Sequence, residues 1–181
     1  SSIALPGSKS ISNRALIIHA LAGGNIMPEN LSTCDDTAVI ARAFKDNPYE
    51  IDIMAAGTAM RFMTAYLSVT EGEHVLTGTE RMKQRPIKIL VDALRSLGAD
   101  IQYVGEEGFP PLRIKGKRLT GGSIEVAGNV SSQYVSALLM IGPTLEKGLE
   151  LKLLGNVISR PYIDLTLNVM HEYGADAEWT D

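Results

Sequence analysis

One cysteine, three histidines and a single tryptophan are spread through 181 residues, and each scarcity closes off a class of function. A lone Cys34 supports no internal disulfide framework and offers no CxxC pair for a metal or redox centre, which points to a reducing compartment. His19, His74 and His171 lack the i,i+4 or carboxylate-paired spacing of a metal site. Basic runs are missing too: 17 Lys and Arg against 21 Asp and Glu give a formal charge of −4, with no cluster suited to nucleic acid or an anionic membrane. No apolar stretch approaches the roughly 20 residues of a membrane helix, and no basic-then-apolar leader opens the chain. The expectation is a soluble, cytoplasmic protein with no nucleic-acid or membrane partner.

What is present suffices for one domain. At 45% hydrophobic, a chain of this length buries about two-thirds of its unfolded surface. It opens without Met on a strand-like Ile3-Ala4-Leu5, as a chain trimmed upstream would. An internal repeat is legible. Arg85-Pro86-Ile87-x-x-Leu90-x-x-x-Leu94, closing on Gly98-Ala99-Asp100, returns as Arg160-Pro161-Tyr162-x-x-Leu165-x-x-x-Val169, closing on Gly174-Ala175-Asp176. Each copy reads as an amphipathic helix with Pro at its first position and glycine at its stop. Upstream of each lies another helical stretch, Thr58 to Thr70 and Ser131 to Leu145, followed by glycine and a short strand. Ser12 to Leu21 and Asp35 to Phe44 form an earlier, shorter copy. Brief strands are expected at Ile51 to Ile53, Asp100 to Val104, Leu112 to Ile114 and Ser123 to Val126. The unit is strand-helix-strand-helix-strand(s), which fits an α/β fold with helices packed together and sheets outside.

Helix starts carry the chemistry. Ser8, Lys9, Ser10, Ser12, Asn13 and Arg14 follow Pro6-Gly7, placing an ammonium, a guanidinium and several hydroxyls where backbone N–H groups are free. Either this gathers an anion, or a serine caps the helix while Lys9 and Arg14 are solvated. At Ala55-Ala56-Gly57-Thr58-Ala59-Met60-Arg61, Gly57 leaves room for a ligand and Arg61 lies one turn in; plain capping is the alternative. Arg85 stands at the mouth of the Pro86 helix, suited to bidentate recognition of carboxylate or phosphate, or else to pairing with a nearby acid. Ser131-Ser132-Gln133 can be a double cap or a set of phosphate hydrogen bonds. Ser159-Arg160-Pro161-Tyr162 is the repeat equivalent of the Arg85 corner. One pocket shared by successive helix starts accounts for all five. Asp35-Asp36-Thr37 is read as capping rather than as a paired-acid site, and Cys34 as a small buried residue.

In order along the chain, Leu5-Pro6-Gly7-Ser8-Lys9-Ser10-Ile11-Ser12-Asn13-Arg14-Ala15-Leu16, Leu31-Ser32-x-x-Asp35-Asp36-Thr37, Ala56-Gly57-Thr58-Ala59-Met60-Arg61, Arg85-Pro86-Ile87, Val130-Ser131-Ser132-Gln133-Tyr134-x-Ser136-Ala137-Leu138-Leu139-Met140 and Ser159-Arg160-Pro161-Tyr162-Ile163-Asp164 resemble the EPSP synthase (3-phosphoshikimate 1-carboxyvinyltransferase) family. The resemblance implies two similar domains, each an inside-out α/β barrel of three βαβαββ units. Residues 1–181 would form a single shikimate 3-phosphate-binding domain, with 1–8 as the hinge and the second, catalytic domain lying outside this chain. It implies transfer of the enolpyruvyl group of phosphoenolpyruvate to the 5-hydroxyl of shikimate 3-phosphate, by a monomer needing no metal or organic cofactor. On these positions Lys9, Gly57 and Arg85 would meet phosphoenolpyruvate, with Arg61 contributing, and Lys9 and Arg85 would serve catalysis. Ser10, Arg14, Ser131, Ser132, Gln133, Ser159 and Tyr162 would hold shikimate 3-phosphate. Acids and a further lysine needed for proton transfer would come from the second domain, so the fragment alone is expected to bind without turning over.

Three features depart from the family pattern. Ala55 stands where Asn is usual, Phe62 where Pro is usual, and the connection from Asp36 to Gly57 is short. The related UDP-N-acetylglucosamine enolpyruvyl transferases typically have Lys-Asn at the first helix and lack the Ser-Ser-Gln box. A non-catalytic binding half-domain is the alternative from another class.

Overall fold

Apolar residues at helical spacing, interrupted by glycine, set the element boundaries. The computed structural model describes residues 9–23, 35–158 and 160–180, so Ile3-Ala4-Leu5, Ser8, Leu31-Ser32, Cys34 and Ser159 lie outside the described residues. Helices α1 (Lys9–Leu21) and α2 (Asp35–Asp46) come first. A complete unit follows: β1 (Glu50–Asp52), α3 (Gly57–Val69), β2 (Gly72–Thr77), α4 (Lys88–Ser96), β3 (Asp100–Tyr103) and β4 (Leu112–Gly116). The next repeats its first four members as β5 (Gly122–Ala127), α5 (Ser132–Ile141), β6 (Leu149–Leu154) and α6 (Arg160–Glu172).

In each unit the first two strands pair in parallel, β1 with β2 and β5 with β6. In the complete unit β4 then joins β2 antiparallel and β3 closes on β4, giving the order β1-β2-β4-β3. Parallel pairing demands a crossover, and α3 and α5 supply it. The expected β-α-β-α-β-β unit is therefore present. After α2 the chain passes through only residues 47–49 to β1, whereas α4 is followed by the β3–β4 hairpin.

The two Gly-Ala-Asp stops are the same device. Gly98 (φ 108°) and Gly174 (φ 85°) take the left-handed conformation that glycine tolerates, and the next amide reaches back across the last turn, Ala99 N to Leu94 O and Ala175 N to Met170 O. Their starts differ from expectation. Pro86 lies before α4, whose cap is Ile87, because a 3-10 turn over Met82–Gln84 delays the helix; Pro161 is the second residue of α6.

Helix α3 is buried on nearly every side, from Thr58 through Ala65 and again at Leu67 and Ser68. Its buried hydroxyls stay satisfied by returning to carbonyls one turn back, Thr64 to Met60 O and Ser68 to Thr64 O, both at 2.7 Å. Buried stretches of α1 (Ser12–Ile18) and α5 (Tyr134–Ile141) pack beside it, so three helices form the centre and the sheets lie outside. Strand β4 crosses the end of α3 closely enough for Lys117 N to cap the Ser68 carbonyl at 3.2 Å.

That crossing makes two stability predictions. A Cβ on Gly116 would strike the Leu67 and Thr70 carbonyls, both backbone. Gly116→Ala should cost about 3 kcal/mol or more in urea unfolding, with Gly105→Ala, which meets nothing within 4 Å, as the neutral control. Beside it, buried His74 meets the Oδ1 of Asn47 through Nε2 at 3.0 Å, fixing the left-handed turn (φ 41°) that ends α2. Burial pushes the His74 pKa down, so as pH falls the unfolded chain takes up the proton first. Stability should be complete above about pH 6.5 and decline below it, and His74→Gln should flatten that part of the profile.

Candidate anion-binding site

Helices α1, α3 and α5 start at one end of the domain, and equivalent positions of the repeats meet there. Each places a critical residue a little over one turn in: Arg14 five positions after Lys9, Arg61 four after Gly57 and Ser136 four after Ser132. Arg14 and Arg61 hook back identically, Nη1 donating to the carbonyl four residues earlier, at 3.0 Å to Ser10 and 2.9 Å to Gly57. Copies also touch across the axis between them. The Gln133 amide donates to Thr58 Oγ1 at 2.8 Å, between residues 75 apart, and Arg14 Nη2 donates to Ser136 Oγ at 3.1 Å. Of the residues expected to share a pocket, Arg14, Arg61 and Gln133 are brought to where α1, α3 and α5 converge.

Arg14 is only 3% exposed, which overturns the solvated reading for this residue. Its partners among the described residues are neutral: the Ser10 carbonyl, Ser136 Oγ, Thr166 Oγ1 at 2.6 Å from Nε, and the Phe62 ring, 5.3 Å from Cζ to centroid. Burial without a carboxylate partner drags its pKa down to about 10, an effect that nearby Tyr162 opposes. Arg61 is lowered as well, first by burial and further by Arg85, while Tyr134 and Asp36 act against this. Its guanidinium lies over the Tyr134 ring at 5.3 Å, and its Nε is buried without a partner among the described residues. The Tyr134 hydroxyl in turn donates to the Pro86 carbonyl at 3.0 Å, tying the start of α5 to the Arg85 corner.

Arg85 closes over Gly57. A Cβ there would lie 2.5 Å from Arg85 Nη1 and 3.0 Å from Arg61 Nη1, so the missing side chain admits two guanidinium groups to the first turn of α3. No carboxylate among the described residues pairs with Arg85. A cleft of about 510 Å³ opens beside it, lined by Ala55, Thr79, Arg81, Met82 and Arg85. A larger cleft of about 920 Å³ lies at the opposite ends of the helices, bordered by His19, Phe44, Tyr66 and Glu71, and holds none of the expected site residues.

The Ser-Ser-Gln box divides its work. Ser131 is the cap of α5, accepting from Gln133 N at 3.2 Å, and is exposed; Ser132 and Gln133 are half-buried. Tyr162 is exposed on α6. Lys9 opens α1, its side chain outside what is described, as is all of Ser159. Asp36 does more than begin its own helix, since its Oδ1 accepts from Ala59 N at 3.3 Å in the first turn of α3. Thr166 escaped sequence reasoning altogether, and Thr58, Phe62, Tyr134 and Ser136 stand in or beside the family-like blocks without these contacts being foreseen. Repeat spacing was the signal for some of them, since it pairs Thr58 with Gln133 and Arg61 with Ser136.

Comparison with known proteins shows the family. The sequence profile of the family described as EPSP synthase (3-phosphoshikimate 1-carboxyvinyltransferase) matches residues 1–48 and 42–180. Similar proteins named 3-phosphoshikimate 1-carboxyvinyltransferase occur in Bacteroides fragilis, 66% identical over 178 residues, and in Colwellia psychrerythraea, 42% identical over 205 residues. They cover 98% and 99% of this chain but 43% and 48% of those proteins, so the chain spans less than half their length. The structure titled EPSP synthase from Acinetobacter baumannii superposes with a TM-score of 0.80 at 24% identity, covering 99% of this chain and 46% of that one. The two profile segments meet at residues 42–48, where α2 runs directly to β1. The Colwellia alignment spends 205 positions on about 179 residues of this chain, so about 26 of its positions have no counterpart here.

Gly57→Ala separates the site from the fold. The new methyl should displace the Arg85 guanidinium, weakening binding of a phosphate- or carboxylate-bearing ligand roughly tenfold, the worth of a charge-assisted hydrogen bond. Because alanine suits a helix at least as well as glycine, thermal unfolding should not suffer. Titration beside a melting curve checks both.

Proposed function

Since the chain belongs to the EPSP synthase family, we propose that it forms the shikimate 3-phosphate-binding half of an enzyme that transfers the enolpyruvyl group of phosphoenolpyruvate to the 5-hydroxyl of shikimate 3-phosphate, releasing phosphate. The observation that carries this is the meeting of Arg14, Arg61 and Arg85 at the converging starts of α1 and α3, beside the Ser132-Gln133 start of α5. Two polyanionic substrates brought side by side repel one another. A rigid set of cations and N–H donors offsets that repulsion before reaction and needs no rearrangement during it.

In this reading Ser10, Arg14, Ser131, Ser132, Gln133, Ser159 and Tyr162 surround shikimate 3-phosphate. Lys9, Gly57 and Arg85 receive phosphoenolpyruvate, with Arg61 between the two groups. Gly57 lets Arg85 approach the amides that open α3, so one anion can take backbone and guanidinium hydrogen bonds together. Lys9 and Arg85 serve the reacting end, where charge shifts onto the departing phosphate. Transfer also needs a base for the 5-hydroxyl and an acid for the methylene carbon of phosphoenolpyruvate. Those groups are assigned to a second domain closing over the site, in a cytoplasmic, monomeric parent enzyme.

Calorimetric titration of the chain with shikimate 3-phosphate tests the reading. Heat of binding is expected, and its absence, together with unmoved amide resonances, overturns the assignment. Ser132→Ala should weaken binding roughly tenfold, and the Ser131→Ala, Ser132→Ala double variant should abolish it. Because Ser131 caps α5, the double variant should also lose about 1 kcal/mol of stability, whereas Ser132→Ala should lose little.

A further inference from the structure

Four helices converge on the Arg14 guanidinium. Its own helix α1 offers the Ser10 carbonyl, α3 places the fully buried Phe62 ring against its face, α5 provides Ser136 Oγ, and α6 provides Thr166 Oγ1. The hydroxyls form an ordered chain. Thr166 Oγ1 also lies 2.8 Å from Ser136 Oγ and 3.0 Å from the Tyr162 carbonyl. Each hydroxyl has one proton to give. Thr166 gives its proton to Tyr162 O, Ser136 gives its proton to Thr166, and both oxygens are left to accept from Arg14. Every proton in this cluster then has one destination, and the guanidinium plane is fixed. Of the five N–H bonds of an arginine, three are spent on Ser10, Ser136 and Thr166, leaving one on each terminal nitrogen without a partner among the described residues.

We propose that Phe62, Ser136 and Thr166 are positioning residues for Arg14, holding its guanidinium so that the remaining N–H of each terminal nitrogen is presented as a pair to the anionic substrate. The substrate part of this rests on the reading of the site given above; the orientation of Arg14 does not. Phe62 stands where the family usually has proline. A proline ring could neither stack on the guanidinium in this way nor complete the backbone hydrogen bond of α3. A purely structural role for the cluster would show in stability alone. Positioning predicts an effect on binding that follows the state of the Arg14 Nε–H.

Two measurements on the full chain decide. In the ligand-free protein the Arg14 Nε–H resonance should be resolved, protected from water exchange and shifted by the Phe62 ring. Thr166→Val should lose the protection, Thr166→Ser should retain it, and Phe62→Leu should abolish the shift. In titrations with shikimate 3-phosphate, Thr166→Val and Phe62→Leu should raise Kd roughly tenfold, while Thr166→Ser stays within about twofold of the parent. Full protection in Thr166→Val, or protection lost there with Kd unchanged, overturns the proposal. If the parent chain shows the Arg14 signature yet binds no shikimate 3-phosphate, the choice of substrate fails while the orientation of Arg14 stands.

Discussion

Two guanidinium groups are held away from water at the point where helix N-termini meet, and the remainder of the structure serves to keep them there. Each helix start already carries a partial positive charge from unpaired N–H groups, so placing Arg14 and Arg61 there stacks like upon like. Desolvation adds to the cost, and the lowered pKa of both residues expresses it. No single contact offsets this. What does is a shell of oxygens and ring faces, contributed by helices far apart in the chain, neutral around Arg14 among the described residues and joined near Arg61 by the Asp36 carboxylate. The outer sheets and glycine stops matter because they hold the helix starts in register. In the proposed function an anion entering this end removes the imbalance, so affinity would be built into the packing and not only into exposed side chains.

Pseudo-symmetry explains how the shell can exist. Repeated units gathered around an axis bring equivalent positions face to face, and a hydrogen bond between equivalents needs a donor on one side and an acceptor on the other. Strict identity would set arginine against arginine. Just over one turn into the central helices stand Arg14, Arg61 and Ser136, and the serine accepts from the first arginine. Thr58 and Gln133 divide the same labour one turn nearer the helix starts. Divergence between the repeats is thus what lets them bond.

Much of this was legible beforehand. Apolar spacing and glycine stops located the helices and six strands because those signals are local. The repeat showed that a unit recurs, and the cationic helix starts marked the end where Arg14 and Arg61 are buried. The rest depends on partners 30 to 152 residues away. Ser136 and Thr166 look like ordinary small residues in apolar helices, and nothing beside them in sequence says they face a buried cation. Ser131 fitted both a cap and a ligand, and only geometry shows that it caps. Pro86 misled because proline commonly opens a helix, while here Arg81 to Arg85 wind into a 3-10 turn first.

The abrupt passage from α2 to β1 also bears on how the molecule meets its neighbours in solution. A sheet that ends without a covering hairpin exposes a row of unpaired backbone groups, the usual template for edge-to-edge aggregation. Among the described residues that row is short here. β1 has three residues, its ends Glu50 and Asp52 are exposed, and only Ile51 turns inward. Two like charges on so brief an edge repel an incoming strand before it can add a second rung. The chain can therefore dispense with the hairpin that follows α4 without turning that margin into a sticky surface.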